Sequence, residues 1–424
     1  MRYVIVGAGP AGVIAAETLR REDPAGDIVV VGDEHPVPYS RMAIPYYLAG
    51  EIPEEGMHLR KDAGHFDALR IRRVHDAVAS VDTRGRTALL KQGGSIPYDR
   101  LLVATGSVPV RPPITGLEGP GVFHCWTLRD AKEIVKLAQP DSRVVLLGAG
   151  FIGSIVLDAL QKRRVKLTVV EVEDRMVPRM TNAAAGKLIL KWCLHKGVDV
   201  RVSTRVLSAA KDPDGRTCVA LSTGDNIEAD LVIVATGVRP RTDFLSGSGI
   251  VVGPAGGVAV NEYLRSSIPE VYAAGDAAEG LDFSTGQRAL HPIQPTATEQ
   301  GRTAALNMAG KSAPYQGSLN MNVLATIGLL THSFGLWGGV RGGEHAEQMD
   351  AEGFRYLQIQ FHADRIVGAI AIGEISNVGL LRGLIQSKLR LGPWKTVLQN
   401  DPGRFAEAYL GLTKMVRTPV RLAG

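Results

Sequence analysis

The sequence predicts an α/β protein: two Rossmann-like, three-layer domains followed by a C-terminal α+β domain. Three observations predict it. The turn Gly-x-Gly-x-x-Gly occurs twice, at Gly7-Ala8-Gly9-Pro10-Ala11-Gly12 and at Gly148-Ala149-Gly150-Phe151-Ile152-Gly153, 141 positions apart. Each copy follows an apolar, β-branched run, Tyr3-Val-Ile-Val6 or Arg143-Val-Val-Leu-Leu147, and precedes a helical pattern. Past the next apolar run comes an acid: Asp33 and Glu34 lie 21 and 22 residues after Gly12, and Glu171 lies 18 after Gly153. One such fingerprint is weak evidence. Two, each with both flanks and an acid, point to a chain that binds two dinucleotides.

The chemistry of each turn follows from its residues. The first glycine permits the tight strand-to-helix turn, the second lets backbone approach a pyrophosphate, and the third lets the helix pack closely on its strand. The unpaired N–H groups and the positive end of the helix dipole then face the phosphates. A carboxylate after the second strand accepts from an adenosine ribose. At Glu171 it selects NAD(H), because a 2′-phosphate there would meet a negative charge, and Arg175 is the one nearby feature that relaxes this preference.

The remaining elements follow in order. Residues 1–112 read as β-α-β and further strands, closing on Leu101-Leu-Val-Ala104-Thr105-Gly106. Residues 113–239 repeat that plan and close on Leu231-Val-Ile-Val-Ala-Thr-Gly237. Pro109, Pro112 and Pro113 mark the first crossing between domains. Residues 240–320 add the strand Val271-Tyr-Ala-Ala-Gly275-Asp276 and a helix beginning near Pro295. From about residue 321 the pattern changes to alternating strands, including Tyr356–Phe361 and Ile366–Ile372, and then a helical stretch from Asn377 to Lys388.

Composition bounds the function class. A chain of 424 residues exceeds one hydrophobic core, and 45% hydrophobic with 21% charged residues is ordinary for a soluble enzyme. The first strand starts at once after Met1-Arg2, no secretory signal precedes it, and no apolar run reaches membrane-spanning length, so a cytoplasmic location is expected. Cys125, Cys193 and Cys218 are far apart, and the ten histidines form no metal motif, so no metal site is expected. Residues 375–424 carry Arg382, Lys388, Arg390, Lys395, Arg404, Lys414, Arg417 and Arg421 against Asp401 and Glu407, a net +6, which leaves −1 for the rest. Such an end suits an acidic partner or a solvated helical surface. Aromatic residues do not interleave with the charges, which argues against nucleic acid.

With these motifs in order, the chain resembles the FAD- and pyridine-nucleotide-dependent oxidoreductases built like glutathione reductase. It is nearest the NADH-dependent rubredoxin and ferredoxin reductases and the flavoprotein part of nitrite reductase. The segment Pro38-Tyr39-Ser40-Arg41 leading into Tyr46-Tyr-Leu-Ala-Gly50, the motif Ala274-Gly275-Asp276, and His291-Pro292-Ile-Gln-Pro295 with Glu299-Gln-Gly301 carry the likeness beside the two fingerprints. The resemblance implies a discontinuous FAD domain (1–112 with 240–320), an NAD domain (113–239) and an interface domain (321–424). FAD would be held by Gly7, Gly9, Pro10, Ala11, Gly12, Asp33 or Glu34, Arg41, Ala104, Thr105, Gly106, Gly275, Asp276, Pro292 and Thr296. NAD(H) would be held by Gly148, Gly150, Ile152, Gly153, Glu171 and Gly237. No catalytic side chain is implied, since the chemistry runs at flavin N5.

Three departures from the family sharpen the reading. No cysteine precedes Cys125, so the redox-active Cys-x4-Cys is missing, and Met42 stands where the single-cysteine branch has its thiol. A thioether cannot supply a thiolate. The lysine and glutamate that many members pair beside the flavin are absent together: residues 42–48 hold no lysine, and Ile155 takes the glutamate position. Electrons must then leave the flavin directly. The expected partner is an iron-sulfur protein, or an iron-sulfur subunit of a larger complex such as a molybdenum or tungsten enzyme, and either a homodimer or a heteromer is compatible. The rival readings are an NADH oxidase or small-molecule reductase, and a redox-sensing interaction protein of the apoptosis-inducing-factor kind.

Overall fold

A computed structural model describes residues 1–213 and 215–417. It divides the chain into two compact units: residues 1–111, 126–133 and 237–318 form the first, and residues 112–125, 134–236 and 319–424 the second.

The first unit is built on a five-stranded parallel sheet in the spatial order Val271–Ala273, Arg100–Val103, Arg2–Val6, Asp27–Gly32, Ile71–His75. Four of its strands are buried apolar runs, as expected where a sheet is covered on both faces, whereas the edge strand Ile71–His75 buries only Ile71. The fingerprint strand is central and pairs in register with a neighbour on each side, Val6 with Val31 and Val6 with Val103. The helix Pro10–Glu22 follows the turn, with Pro10 in its first turn and a buried face of Ala11, Val13, Ala15, Ala16 and Leu19. A second helix, Gln294–Met308, packs against it with almost no side chain between them. A Cβ on Gly301 would lie 2.3 Å from the Ala11 carbonyl oxygen. The unit also holds a three-stranded antiparallel sheet over residues 78–97 and a smaller sheet of Val258–Ala259, Ala278–Leu281 and Arg288–Ala289.

The second unit repeats the plan. Its parallel sheet runs Asp199–Arg201, Lys166–Val170, Arg143–Leu147, Leu231–Val234, Val122–Phe123, and the helix Phe151–Lys162 leaves the second fingerprint. Both strands that run into Ala-Thr-Gly therefore lie directly beside a fingerprint strand, which accounts for the echo in the sequence: each brings its Ala-Thr peptide alongside a glycine turn. The same unit contains a five-stranded antiparallel sheet in the order Met321–Thr326, Leu329–Gly335, Arg365–Ile372, Arg355–His362, Glu344–Asp350, followed by the helices Gly379–Ser387, Trp394–Asn400 and Phe405–Arg417. No helix among the described residues is long and apolar enough to cross a membrane.

Replacing Gly301 with alanine is expected to destabilise the first unit by about 1–3 kcal/mol, because the added methyl must displace backbone. Gly379→Ala, where a Cβ meets nothing within 4 Å, serves as the control. Denaturant unfolding of both variants is the check, and equal midpoints would contradict the packing described.

Candidate functional site

The two glycine turns have the same geometry. Gly7 and Gly148 have φ of +119° and +95°, where a side chain is strained, and a Cβ on each would strike the carbonyl of Ala104 (2.0 Å) or Ala235 (2.6 Å). A Cβ on the third glycine, Gly12 or Gly153, would lie 1.9 or 2.0 Å from the carbonyl oxygen of the first. At the second glycine, Gly9 or Gly150, a Cβ would meet nothing within 4 Å. Gly9 and Gly150 are also the N-caps of their helices, and neither helix has a side-chain cap. Each turn thus presents uncapped amides and the positive end of a helix to open space, which fits a pyrophosphate.

Around the first turn, the motifs noted in the sequence converge. Gly275 adopts φ +73°, and its N–H donates to buried Gln300 Oε1 at 2.9 Å. Asp276 follows it, and Ser107 Oγ donates to its Oδ2 at 2.6 Å. Burial raises the Asp276 carboxyl above its ordinary value. One hydroxyl does not exhaust a carboxylate, so the site retains acceptor capacity for a hydroxylated ligand. The helix Gln294–Met308 begins beside it without a side-chain cap, with Thr296 buried in its first turn and Ser40 Oγ donating to Gln294 Oε1 at 2.5 Å. Its approach is braced by His291, whose Nε2 lies 3.1 Å from Asp282 Oδ2 and whose Nδ1 lies 2.5 Å from Ser318 Oγ. Burial alone would raise the Asp282 carboxyl, but hydrogen bonds from His291 and Thr285 hold it below the usual range. Pro10, Pro292 and Ala11 fall in these same segments.

Arg41 is held rather than free. Its guanidinium donates to Glu34 Oε2 at 2.5 Å and to the Ser107 carbonyl at 3.2 Å, and it lies 4.8 Å from the centre of the Trp126 ring. Trp126 Nε1 also donates to the Ser107 carbonyl, at 2.9 Å. Tyr39 donates to the other oxygen of Glu34 and accepts from the Leu128 N–H at 3.0 Å. Asp33 receives both ends of the Arg241 fork, at 3.1 and 2.7 Å. Burial pushes the Asp33 carboxyl up, but Arg241 overrides it and holds the group below its ordinary range. The Ala104-Thr105-Gly106 segment ties this together: Thr105 Oγ1 donates to the Arg241 carbonyl at 2.7 Å, and the Gly106 carbonyl accepts from the Arg241 N–H at 2.9 Å. Both candidate ribose acids are therefore already engaged by arginine.

The second turn is organised differently. Glu171 is buried, and its carboxylate accepts from the N–H of Ala149 at 2.6 Å, inside the glycine turn, and from that of Glu173 at 2.9 Å. Its first role is to fix the turn. Arg175 is turned away onto the helix Ala183–His195, where a Cβ on Gly186 would touch its side chain, and its Nη1 donates to Asp174 at 2.7 Å. Ile152 lies half-buried in the fingerprint helix. Gly237, with φ +114°, is the first residue of the stretch assigned to the first unit.

Sequence reasoning named the motifs but missed Ser107, Trp126 and Arg241. No local pattern marks them; only the fold carries them to Asp276, Arg41 and Asp33. Met42 is exposed, and Cys125, Cys193 and Cys218 form no disulfide. Burial raises the Cys193 thiol to about 12, far from a thiolate at neutral pH. Among the described residues, no group of histidine, cysteine and carboxylate side chains could hold a metal.

The description "pyridine nucleotide-disulphide oxidoreductase" fits residues 1–301 of the sequence. The chain belongs to that family. It is 30% identical over 404 residues to the epsilon subunit of NADH-dependent phenylglyoxylate dehydrogenase of Aromatoleum evansii, across 95% of each chain. It is 27% identical over 389 residues to the ferredoxin–NAD(+) reductase component of the 3-phenylpropionate/cinnamic acid dioxygenase of Photorhabdus laumondii, across 90% of this chain and 95% of that one. Among solved structures, an NAD-dependent persulfide reductase from A. fulgidus superposes with a TM-score of 0.86 at 26% identity, covering 98% of this chain and 84% of that one. The chain is an FAD-dependent NAD(H) oxidoreductase of electron-transfer type. FAD and NAD(H) are its cofactors.

Asp276→Ala is expected to weaken FAD binding roughly 10- to 100-fold, the worth of a charge-assisted hydrogen bond at about 1.5–3 kcal/mol. A carboxyl whose folded value is raised opposes folding at neutral pH and ceases to do so as pH falls below its ordinary value of 3.8. The apoprotein of the variant should therefore unfold no more easily than the parent near pH 7. Flavin fluorescence titration and thermal unfolding provide the two readings; unchanged FAD affinity would contradict the placement.

Proposed function

We propose that the protein passes electrons between NAD(H) and an iron-sulfur protein or iron-sulfur subunit, with FAD in the first unit and NAD(H) in the second. The observation that carries this is the match along 95% of the chain to a protein named as a subunit of an NADH-dependent dehydrogenase. A second relative along 90% of the chain is named for ferredoxin, an iron-sulfur protein. Bound FAD supplies a ring that takes two electrons as hydride and gives them up singly. No thiol of this chain is set up to relay them: two of its cysteines are buried and Met42 replaces the family thiol. The full-length relative's role supports reading this chain as the NAD-linked module of a larger redox complex.

In this proposal the chain's own residues bind and orient. The uncapped helix starts at Gly9 and Gly150 would hold the two pyrophosphates. Asp276 would take a hydroxyl of the FAD ribityl chain, and the helix start at Gln294 and Thr296 would stabilise negative charge on the reduced ring. Arg41, anchored by Glu34 and Trp126, would meet the FAD phosphates, and Asp33 or Glu34 the FAD adenosine ribose. Glu171 would accept from the NAD ribose while holding its turn. Ala104-Thr105-Gly106 would line FAD. The C-terminal basic residues are partly neutralised: Lys395 pairs with Glu344 at 3.0 Å and Arg404 with Glu407 at 2.6 Å. Arg382 and Arg390 are exposed and make no ion pair among the described residues. The side chain of Arg417 and the whole of Arg421 lie outside the described residues.

NADH-driven turnover with an acidic ferredoxin, with a one-electron dye and with oxygen tests the proposal. Ferredoxin reduction should exceed oxygen reduction and should fall steeply as salt shortens the Debye length to about 8–10 Å. Arg382→Glu with Arg390→Glu should slow ferredoxin reduction severalfold and leave dye turnover intact. Oxygen consumption that matches or exceeds ferredoxin reduction would favour an NADH oxidase instead.

A further inference from the structure

The antiparallel sheet of the second unit carries a polar row on one face. Register pairs His345 with Gln360, Glu347 with Gln358, Gln358 with Ile370 and Ile370 with Ser333, so these side chains project from the same side. Ser333 is fully buried and Gln358 only 5% exposed, yet Ser333 Oγ and Gln358 Oε1 find no partner among the described residues. Buried amides are normally satisfied, so an orphaned one calls for an explanation. Where this row reaches the surface, an open cleft of about 530 Å³ lies over it, lined by Gln358, Gln360, His345, Trp337, Asn182 and the turn 338–343.

The turn reads Gly338-Gly339-Val340-Arg341-Gly342-Gly343. The N–H groups of Gly339 and Gly343 are used, on the carbonyls of Leu336 (2.8 Å) and Val340 (2.9 Å). Those of Gly338, Val340 and Arg341 donate to nothing among the described residues, and a Cβ on Gly338 would meet nothing within 4 Å. Arg341 is exposed and has no acidic partner among the described residues. Among the described residues, no carboxylate lines the cleft. Glu347, opposite Gln358 in register, accepts from Tyr356 Oη at 2.7 Å and is not part of the lining. One wall is rigid: Asn182 caps its helix through Ala185 N–H at 2.8 Å and donates to Tyr356 Oη at 2.6 Å.

A glycine turn with unused amides beside a guanidinium fork is suited to a phosphate. A tryptophan ring and an unsatisfied amide are suited to a flat heterocycle with hydrogen-bonding edges. The volume lies within the range of small-molecule sites. We propose that this cleft is a second nucleotide site, which takes a mononucleotide-sized organic phosphate with the phosphate on the 338–343 turn and Arg341 and the base between Trp337 and Gln358. It shares no residue with the Gly148 fingerprint.

Calorimetric titration of the flavin-loaded full chain with AMP, in saturating NAD⁺, tests it. AMP should still bind with one site per chain, and more tightly than inorganic phosphate. Arg341→Ala should weaken AMP at least tenfold while leaving the NADH dissociation constant unchanged. Gln358→Leu, which removes the orphaned amide, should bring AMP down to the affinity of ribose 5-phosphate. Loss of all AMP binding once NAD⁺ is saturating would place AMP at the fingerprint and overturn the proposal. So would AMP binding that is indifferent to Arg341→Ala, or equal affinity for AMP and inorganic phosphate.

Discussion

The structure depends on one steric constraint, met twice. The third glycine of each fingerprint sits against the carbonyl of the first so closely that a single methyl would fall within about 2 Å of it. That contact sets the helix start flush with the end of its strand. The second glycine is then left facing open space with the helix amides behind it. Relaxing the contact would tilt the helix and aim its positive end elsewhere, since both helices lack a side-chain cap and rely on position alone. Everything placed around the turns presupposes it: the Ala-Thr-Gly strands packed on Gly7 and Gly148, and the helix Gln294–Met308 pressed onto Ala11.

The same backbone device is supported by different side chains in the two units. In the first, arginines carry the load: Arg41 holds Glu34, Arg241 holds Asp33, and the Ser107 carbonyl gathers both Arg41 and Trp126. This web surrounds a carboxylate, Asp276, whose charge burial disfavours. In the second, one buried carboxylate, Glu171, holds the turn through backbone amides with no arginine on it.

The fold was largely legible from the sequence because its signals are local. Apolar runs of five residues, glycines at fixed spacing and a trailing acid are all encoded within about 35 residues, and the Ala-Thr-Gly echo marked the strands that flank each turn. Of the candidate site, sequence motifs mark Arg41, Gly275 and Asp276. Trp126 and Arg241 contact Arg41 and Asp33 across 85 and 208 positions, and no periodicity records such a meeting. The sequence marks a change of pattern near residue 321, and the antiparallel sheet begins there at Met321. Charge counting misses such meetings too. The +6 of the C-terminal stretch ignores Glu344, which lies outside the stretch and pairs with Lys395.

Anaerobic titration of the purified protein with NADH, followed by flavin absorbance and repeated with NADPH, tests the central claim most directly. If the chain holds one FAD, binds NAD(H) at the turn fixed by Glu171 and has no thiol relay, it should take up two electrons per FAD, with no second two-electron phase. NADH should reduce it faster than NADPH at equal low concentrations. A four-electron end point, or faster reduction by NADPH, would contradict the account.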